Sequence, residues 1–335
     1  MSRLLERLGV EAPVVQAGLG GGLSRHELAA AVSEAGGLGT IAVNGATAIR
    51  HELGAARALT GRPLAVNVLL PFARRDWFAA AAEADVVVTF WGAPRRRTSG
   101  VWLHQCGSAA EARRARAAGA EGVIVQGVEA GGHVRGRAPA LQLLEEVRSI
   151  LPPDYPVLLA GGIATGDDVR AALERGASAA VAGTRFLLSE ESHAHPLYKQ
   201  RLLEAEETIL TDLFGAGWPA PHRVVTNAAT QRPATRRSSF HEPYRRKDER
   251  QVLRAPLANR LLNHLLAPGA RYLPPSLQLR MIRAQRPDSR LLTPAGPTDD
   301  GSETLVDAGP LYAGETVARI GEVLPAARIV RDLAG

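Results

Sequence analysis

The sequence predicts an α/β chain folded as a (β/α)8 barrel, and three observations carry that prediction. Short β-branched runs alternate with alanine-rich amphipathic stretches through the first part of the chain. The runs are continuously apolar rather than alternating, as in a parallel sheet covered by helices. They fall at 14–16, 38–43, 64–69, 86–89, 101–105, 123–126, 157–160 and 179–182, the strand number of a TIM barrel. A doubly wound open sheet is the alternative. It would need a GxGxxG at the first strand–helix turn, and Gly18-Leu19-Gly20-Gly21-Gly22 lacks that spacing.

The helices between the runs are read from periodicity and punctuation, at 25–35, 46–59, 76–83, 109–118, 140–150 and 167–175. Ser24 and Ser108 stand where N-caps are expected. Gly36, Gly61, Gly119 and Gly176 stand where left-handed C-caps would fall. The pattern changes near 196. Helical character is expected over 197–213, 251–266 and 276–285, with a Trp-Pro-Ala-Pro turn at 218–221. A Pro/Gly/Asp-rich linker at 294–301 leads to a last amphipathic helix over 314–324. The expected organisation is therefore a barrel of residues 1–195 plus 305–335. A mainly helical excursion, 196–304, would cover its active-site face.

Composition narrows the class of function. In 335 residues, 45% are hydrophobic but only 4% aromatic, so packing relies on small and aliphatic side chains. No stretch approaches the roughly 20 apolar residues of a membrane span, and the start has no apolar signal core. The single cysteine, Cys106, precludes an intrachain disulfide and suits a reducing compartment, so a cytoplasmic enzyme is expected. The net charge of +6 is concentrated at Arg95–Arg97 and in the basic stretch 232–250. Neither interleaves aromatics with cations, so a solvated or partner-facing surface is expected in place of nucleic-acid binding. Apolar helices outside the barrel are compatible with a homodimer.

In a parallel barrel, chemistry sits at the carboxyl ends of the strands. Those ends supply Gly18, Asn67, Phe90-Trp91, His104-Gln105-Cys106, Gln126, the run Glu129-Ala130-Gly131-Gly132-His133, Gly161-Gly162, and Val181-Ala182-Gly183-Thr184. Gly161-Gly162 and Gly183-Thr184 offer backbone N–H groups and a hydroxyl at adjacent turns, a pattern suited to a phosphate. That leaves isomerases, aldolases and flavoproteins open. Schiff-base aldolases need a strand-end lysine, but Lys199 and Lys247 lie outside the strands. No GxSxG elbow is present, and no metal centre is expected from His193 and His195, which follow the eighth strand at a helix start.

The ordered motifs PVVQAGLGGGLSRHELAAAVSEAGGLGTI, LAVNVLLP, VVVTFWGAP, QGVEAGGH, LAGGIATGDDVRAALERGASAAVAGTRFL and PLYAGETVARI resemble the nitronate monooxygenases, FMN-dependent barrels. The resemblance implies FMN contacts at Asn67, Gln126, Gly131, Gly162, Val181, Ala182, Gly183 and Thr184; the strand-end residues Gly18, Gln105, Gly132 and Gly161 are taken with them as cofactor-binding candidates. It implies that His133 is the active-site base. Gln105 stands where a subgroup carries a lysine near the flavin. The implied reaction is oxidation of alkyl nitronates, or of nitroalkanes, by O2 to a carbonyl compound and nitrite. Two alternatives remain at this point: an NAD(P)H-dependent enoyl or quinone reductase on the same barrel, and a flavin-free phosphate-binding isomerase or lyase.

Overall fold

The computed structural model describes residues 3–231, 236–239, 251–270 and 272–335. These form two compact units. One comprises residues 1–130, 135–193 and 322–335, and the other 131–134 and 194–321.

The first unit opens with α1 (Arg3–Leu8) and β1 (Val14–Gln16). It continues through α2 (His26–Glu34), β2 (Gly39–Ile41), α3 (Ala46–Leu59), β3 (Leu64–Leu69), α4 (Arg75–Ala81), β4 (Val86–Phe90), β5 (Val101–Cys106), α5 (Ala109–Ala117) and β6 (Gly122–Gln126). After β7 (Gly132–His133), which belongs to the other unit, come α6 (Ala140–Arg148), β8 (Val157–Ala160), α7 (Gly166–Glu174), β9 (Ala179–Ala182) and α8 (Thr184–Leu187). The eight parallel strands run in the order β1-β9-β8-β6-β5-β4-β3-β2, and a bridge between Val15 and Leu38 joins the two ends into a barrel.

Side-chain alternation explains the layers. Val15, Leu38, Ala65, Val88, Leu103, Ile124, Leu158 and Val181 point inward and pack together, with Leu4 and Leu5 of α1 joining the same cluster. The neighbouring positions, such as Val14, Trp102, Val123, Val157 and Ala180, point outward under the helices. Burial of apolar residues on both faces is the reason these strands read as unbroken apolar runs.

Local signals held in part. Ser108 caps α5 by accepting the Glu111 N–H at 3.3 Å. Ser24 does not cap α2: the N-cap position is Arg25, and the Ser24 hydroxyl instead bonds Leu19, accepting its N–H at 3.1 Å. Gly36, Gly119 and Gly176 have φ near +90°, +90° and +86°, whereas Gly61 is absent from the left-handed region and Thr60 ends α3 extended.

The second unit contains α9 (Pro196–Leu203), β10 (Ile209–Thr211), β11 (His222–Val225), α10 (Ala228–Gln231), β12 (Arg236–Ser239), β13 (Gln251–Arg254), α11 (Leu257–Ala270), α12 (Pro275–Ala284), α13 (Thr304–Ala308) and β14 (Leu311–Tyr312). Helices hold most of its regular residues, but it also carries a six-stranded sheet in which β7 pairs with β11. The stretch 197–213, read as one helix, turns from helix to strand because Ile209–Thr211 pairs with His222–Val224. The expected helix over 314–324 is a single 3-10 turn, Val317–Arg319. The amphipathic helix α14 (Ala326–Ala334) follows it, and the return to the barrel begins at 322 rather than 305. The basic stretch 232–250 lies outside the described residues, apart from the backbone of 236–239.

Candidate active site

The predicted strand-end residues of the barrel fall on one inner layer. Asn67, Gln105 and Gln126 each stand two residues beyond an inward-pointing apolar residue (Ala65, Leu103 and Ile124), so they share the inner face at its carboxyl end. The register agrees: Asn67 is opposite Val88, Gln105 opposite Ile124, and Gln126 opposite Ala160. A polar layer thus caps an apolar barrel core. The carboxyl-end turns after β8 and β9 add Gly162 and Gly183 at the corresponding positions.

Each member has a local reason for its place. Asn67 packs so closely on Gly18 that a Cβ there would lie 2.5 Å from the Asn67 Cβ. Gln126 accepts the Arg135 N–H at 2.8 Å, and a side chain at Gly136 would collide with the Gln126 carbonyl. Arg135 in turn pairs with Glu111 and lies 5.1 Å over the Trp91 ring. Trp91, with φ 64°, holds a conformation seldom adopted by aromatic residues. Gly161 and Gly162 have φ of +106° and +79°, turning the chain sharply after β8. Gly183 and Thr184 open α8 directly after β9.

Two buried oxygens on this inner face lack a hydrogen-bond partner among the described residues: Asn67 Oδ1 and Thr40 Oγ1. Such groups cost about 1–3 kcal/mol when left unmade. A planar ligand carrying N–H and hydroxyl donors would satisfy them, and its anionic tail would suit the Gly162 and Gly183-Thr184 turns. The chemistry of a flavin nucleotide fits this donor and acceptor set.

Gly131, Gly132 and His133 belong to the second unit. His133 lies on β7, opposite His222 on β11. Its ring stacks on Trp218, and His222 and Tyr312 stand 5.2 and 5.6 Å away. Burial, with the neighbouring His222 adding to it, holds the His133 pKa well below the usual value, so the ring is neutral at physiological pH. His222 is fixed as a neutral tautomer: Nδ1–H donates to the Ala220 carbonyl at 2.9 Å, and Nε2 accepts the Phe214 N–H at 3.3 Å. Its own pKa is lowered to about 4 by burial.

Gly131 has a structural cause of its own. A Cβ there would lie 2.6 Å from the backbone of Ala313 and Gly314, so close approach by this chain already requires glycine. Glu129 caps α6, both carboxylate oxygens accepting the Ala140 N–H at 3.1 and 3.0 Å. His104 and Cys106 are packing residues of β5. Thr89 Oγ1 bonds both His104 Nδ1 and Trp102 Nε1 at 2.7 Å, and burial lowers the His104 pKa to about 4. Burial also raises the Cys106 thiol well above its usual range. The sequence reading missed Trp218, His222 and Tyr312 as the surroundings of His133. They lie 85 or more residues away in sequence, and no local pattern marks them.

The sequence profile described as nitronate monooxygenase matches residues 1–95 and 78–334. The chain belongs to the nitronate monooxygenase family. Nitronate monooxygenases are flavin-dependent oxidoreductases, which agrees with the donor set of the barrel's polar layer. A nitronate monooxygenase of Pseudomonas aeruginosa is 35% identical over 268 residues, covering 62% of this chain and 76% of that protein. A (3aS,4S,5R,7aS)-5-hydroxy-7a-methyl-1-oxo-octahydro-1H-indene-4-carboxyl-CoA dehydrogenase of Mycobacterium tuberculosis is 34% identical over 242 residues, or 66% of this chain. The chain spans 65% of the length of that dehydrogenase.

Solved structures agree on the fold. FabK from Thermotoga maritima superposes with a TM-score of 0.73 at 27% identity, covering 99% of this chain and 94% of that one. Nitroalkane oxidase from Streptomyces ansochromogenes superposes at 0.70 with 28% identity, covering 99% and 97%. No helix among the described residues is long and apolar enough to cross a membrane.

Proposed function

We propose that this protein is an FMN enzyme that oxidises alkyl nitronates with O2 to a carbonyl compound and nitrite. The observation that supports the reading most directly is the polar layer of Asn67, Gln105 and Gln126 above the apolar barrel core. Asn67, Gln105 and Gln126 would hold the ring system, and Gly18 leaves Asn67 the room to do so. Gly161, Gly162, Val181, Ala182, Gly183 and Thr184 would hold the phosphate through backbone N–H groups and one hydroxyl. FMN, when bound, supplies electron acceptance and reactivity toward oxygen.

His133 handles the proton. A neutral imidazole keeps a lone pair that accepts the acidic α-proton of a nitroalkane, and its lowered pKa keeps it in that form through physiological pH. A nitronate has already lost that proton and needs no base. Nitronates are therefore expected to react with less dependence on His133 than neutral nitroalkanes.

The test is direct. Purified protein should carry one FMN per chain, consume O2 with propyl nitronate and release nitrite. Absence of flavin, or bound flavin without nitrite release, would overturn the reading. A second reading, oxidation of a cyclic acyl-CoA, is favoured by the 34% identity to the carboxyl-CoA dehydrogenase. Flavin bleaching under anaerobic conditions by an acyl-CoA, with none by a nitronate, would select it.

A further inference from the structure

Within the second unit, α11 is built inside out. Its buried face carries Asn259, Asn263 and Ala270, and Asn259 Nδ2 donates to the Arg290 carbonyl at 2.8 Å. Leu257, Leu261 and Leu265 recur at every fourth residue and are 67%, 58% and 78% exposed. With 3.6 residues per turn, the middle of that leucine row lies half a turn from the buried asparagines. A helix that only covered its own unit would turn its leucines inward and its asparagines to water.

The next helix has the same excess of outward apolar surface. None of the described side chains of α12 is buried, and Leu277 and Leu279 are both exposed. A helix of 10 residues without tertiary packing is marginal in water, so this one gains order when something covers it. Only four residues separate the two helices, which keeps α12 within reach of any surface that the leucine row meets.

Charge decides between the surfaces that could cover these helices. From Gln251 to Pro287 the sequence holds six arginines and no aspartate or glutamate. Arg254 and Arg260 are held by Asp212 at 3.4 and 3.1 Å, whereas Arg280, Arg283 and Arg286 are exposed. A second copy docked on this face would set arginines against arginines, with no carboxylate on either helix to pair them. An anionic bilayer supplies both missing parts, an apolar layer for the leucines and phosphates for the arginines. We infer that α11 and α12 dock the protein on an anionic lipid surface. Leu257, Leu261 and Leu265 enter the acyl boundary, and Arg280 and Arg283 meet the headgroups. At 14 residues α11 is too short to cross a hydrocarbon core of roughly 30 Å, so it lies in the interface and does not span it.

Co-sedimentation of the full chain with vesicles tests the assignment. Wild type is expected to bind vesicles of phosphatidylglycerol and phosphatidylcholine mixed in equal parts. Binding should be at least about 10-fold weaker to phosphatidylcholine alone, or in about 0.5 M salt. Leu261→Gln combined with Leu265→Gln, checked for folding by circular dichroism, should weaken binding to the mixed vesicles about 10-fold. Arg280→Gln combined with Arg283→Gln should weaken it by a similar factor and flatten its dependence on salt. Absence of binding to the mixed vesicles at low salt, or full binding by either double variant, would overturn the assignment. A concentration-dependent dimer that the leucine variant loses, without vesicle binding, would give this face to a second copy and overturn it as well.

Discussion

The imidazole of His133 lies face to face with the indole of Trp218, with ring centroids 3.6 Å apart and planes tilted by 15°. Such a stack orients the imidazole and shields it from water, which disfavours its charged form. The same contact that positions the ring therefore helps keep it neutral.

Removing the stack should move a pH profile. In Trp218→Leu, the His133 pKa should climb back toward its ordinary value as the ring is reopened to water. The base form is the active one, so the acid limb of kcat/KM for a neutral nitroalkane should shift to higher pH. An unmoved limb would separate the stack from the base. His133→Gln should lose nitroalkane turnover by at least about 100-fold while keeping its flavin and much of its nitronate turnover.

Asn67→Leu should have opposite effects on stability and binding. The replacement keeps the branching and heavy-atom count of the side chain and removes the buried Oδ1 that lacks a partner, so the flavin-free protein should gain about 1 kcal/mol in urea unfolding. Affinity for FMN, measured by fluorescence titration, should fall about 10-fold or more. Loss of stability together with unchanged affinity would show that Asn67 is a packing residue.

Gly131 and Gly132 make a paired comparison. Ala at 131 would meet the backbone of residues 313 and 314 at 2.6 Å, a collision that no side-chain rotation relieves. Its cost should be roughly 2–3 kcal/mol. Ala at 132 meets nothing within 4 Å but must adopt φ of +71°, at a cost of about 1–2 kcal/mol. Chemical denaturation should rank Gly131→Ala as the more damaging, and the reverse order would remove the close-approach explanation.

Stability should fall with acid in a window set by buried histidines. His104 and His222 have folded pKa values of about 4, below the roughly 6.5 of an unfolded chain. Between these values the unfolded state binds more protons, so unfolding free energy rises with pH across the interval. The contribution is complete above about pH 6.5 and is lost as pH falls toward 4. It is on the order of 3 kcal/mol for each of the two. Urea midpoints between pH 7.5 and 4.5 should trace that decline, and a flat profile would contradict the burial of these rings in neutral form.

Much of the barrel was legible in the sequence because each strand buries both faces, leaving an unbroken apolar run. Residues 64–69, 157–160 and 179–182 match to the residue for that reason. The strand-end polar residues were legible too, since Asn67 and Gln126 interrupt apolar runs where only a ligand or a turn explains polarity. The sheet of the second unit was not. Its strands β10 and β11 are three and four residues long, and only their pairing distinguishes them from helix or loop. Glu129 and Gly131 show a further limit. Gly131 is itself a candidate residue and Glu129 stands two positions before it, and each has a task within this chain, admitting the backbone of residues 313 and 314 or capping α6, that only the folded structure shows.

The seam of the barrel sets an order of assembly. Val14–Gln16 pairs with Ala180–Ala182, and the outer side of that seam is packed by Ile329, Val330 and Leu333 of α14. Residues 194–321, an entire second unit, are made between the strand and the helix that covers it. During synthesis the nascent barrel must therefore wait, with an apolar flank open to water, until residues 326–334 have left the ribosome. Chaperone engagement should concentrate in that interval, and folding of the inserted unit should set its length.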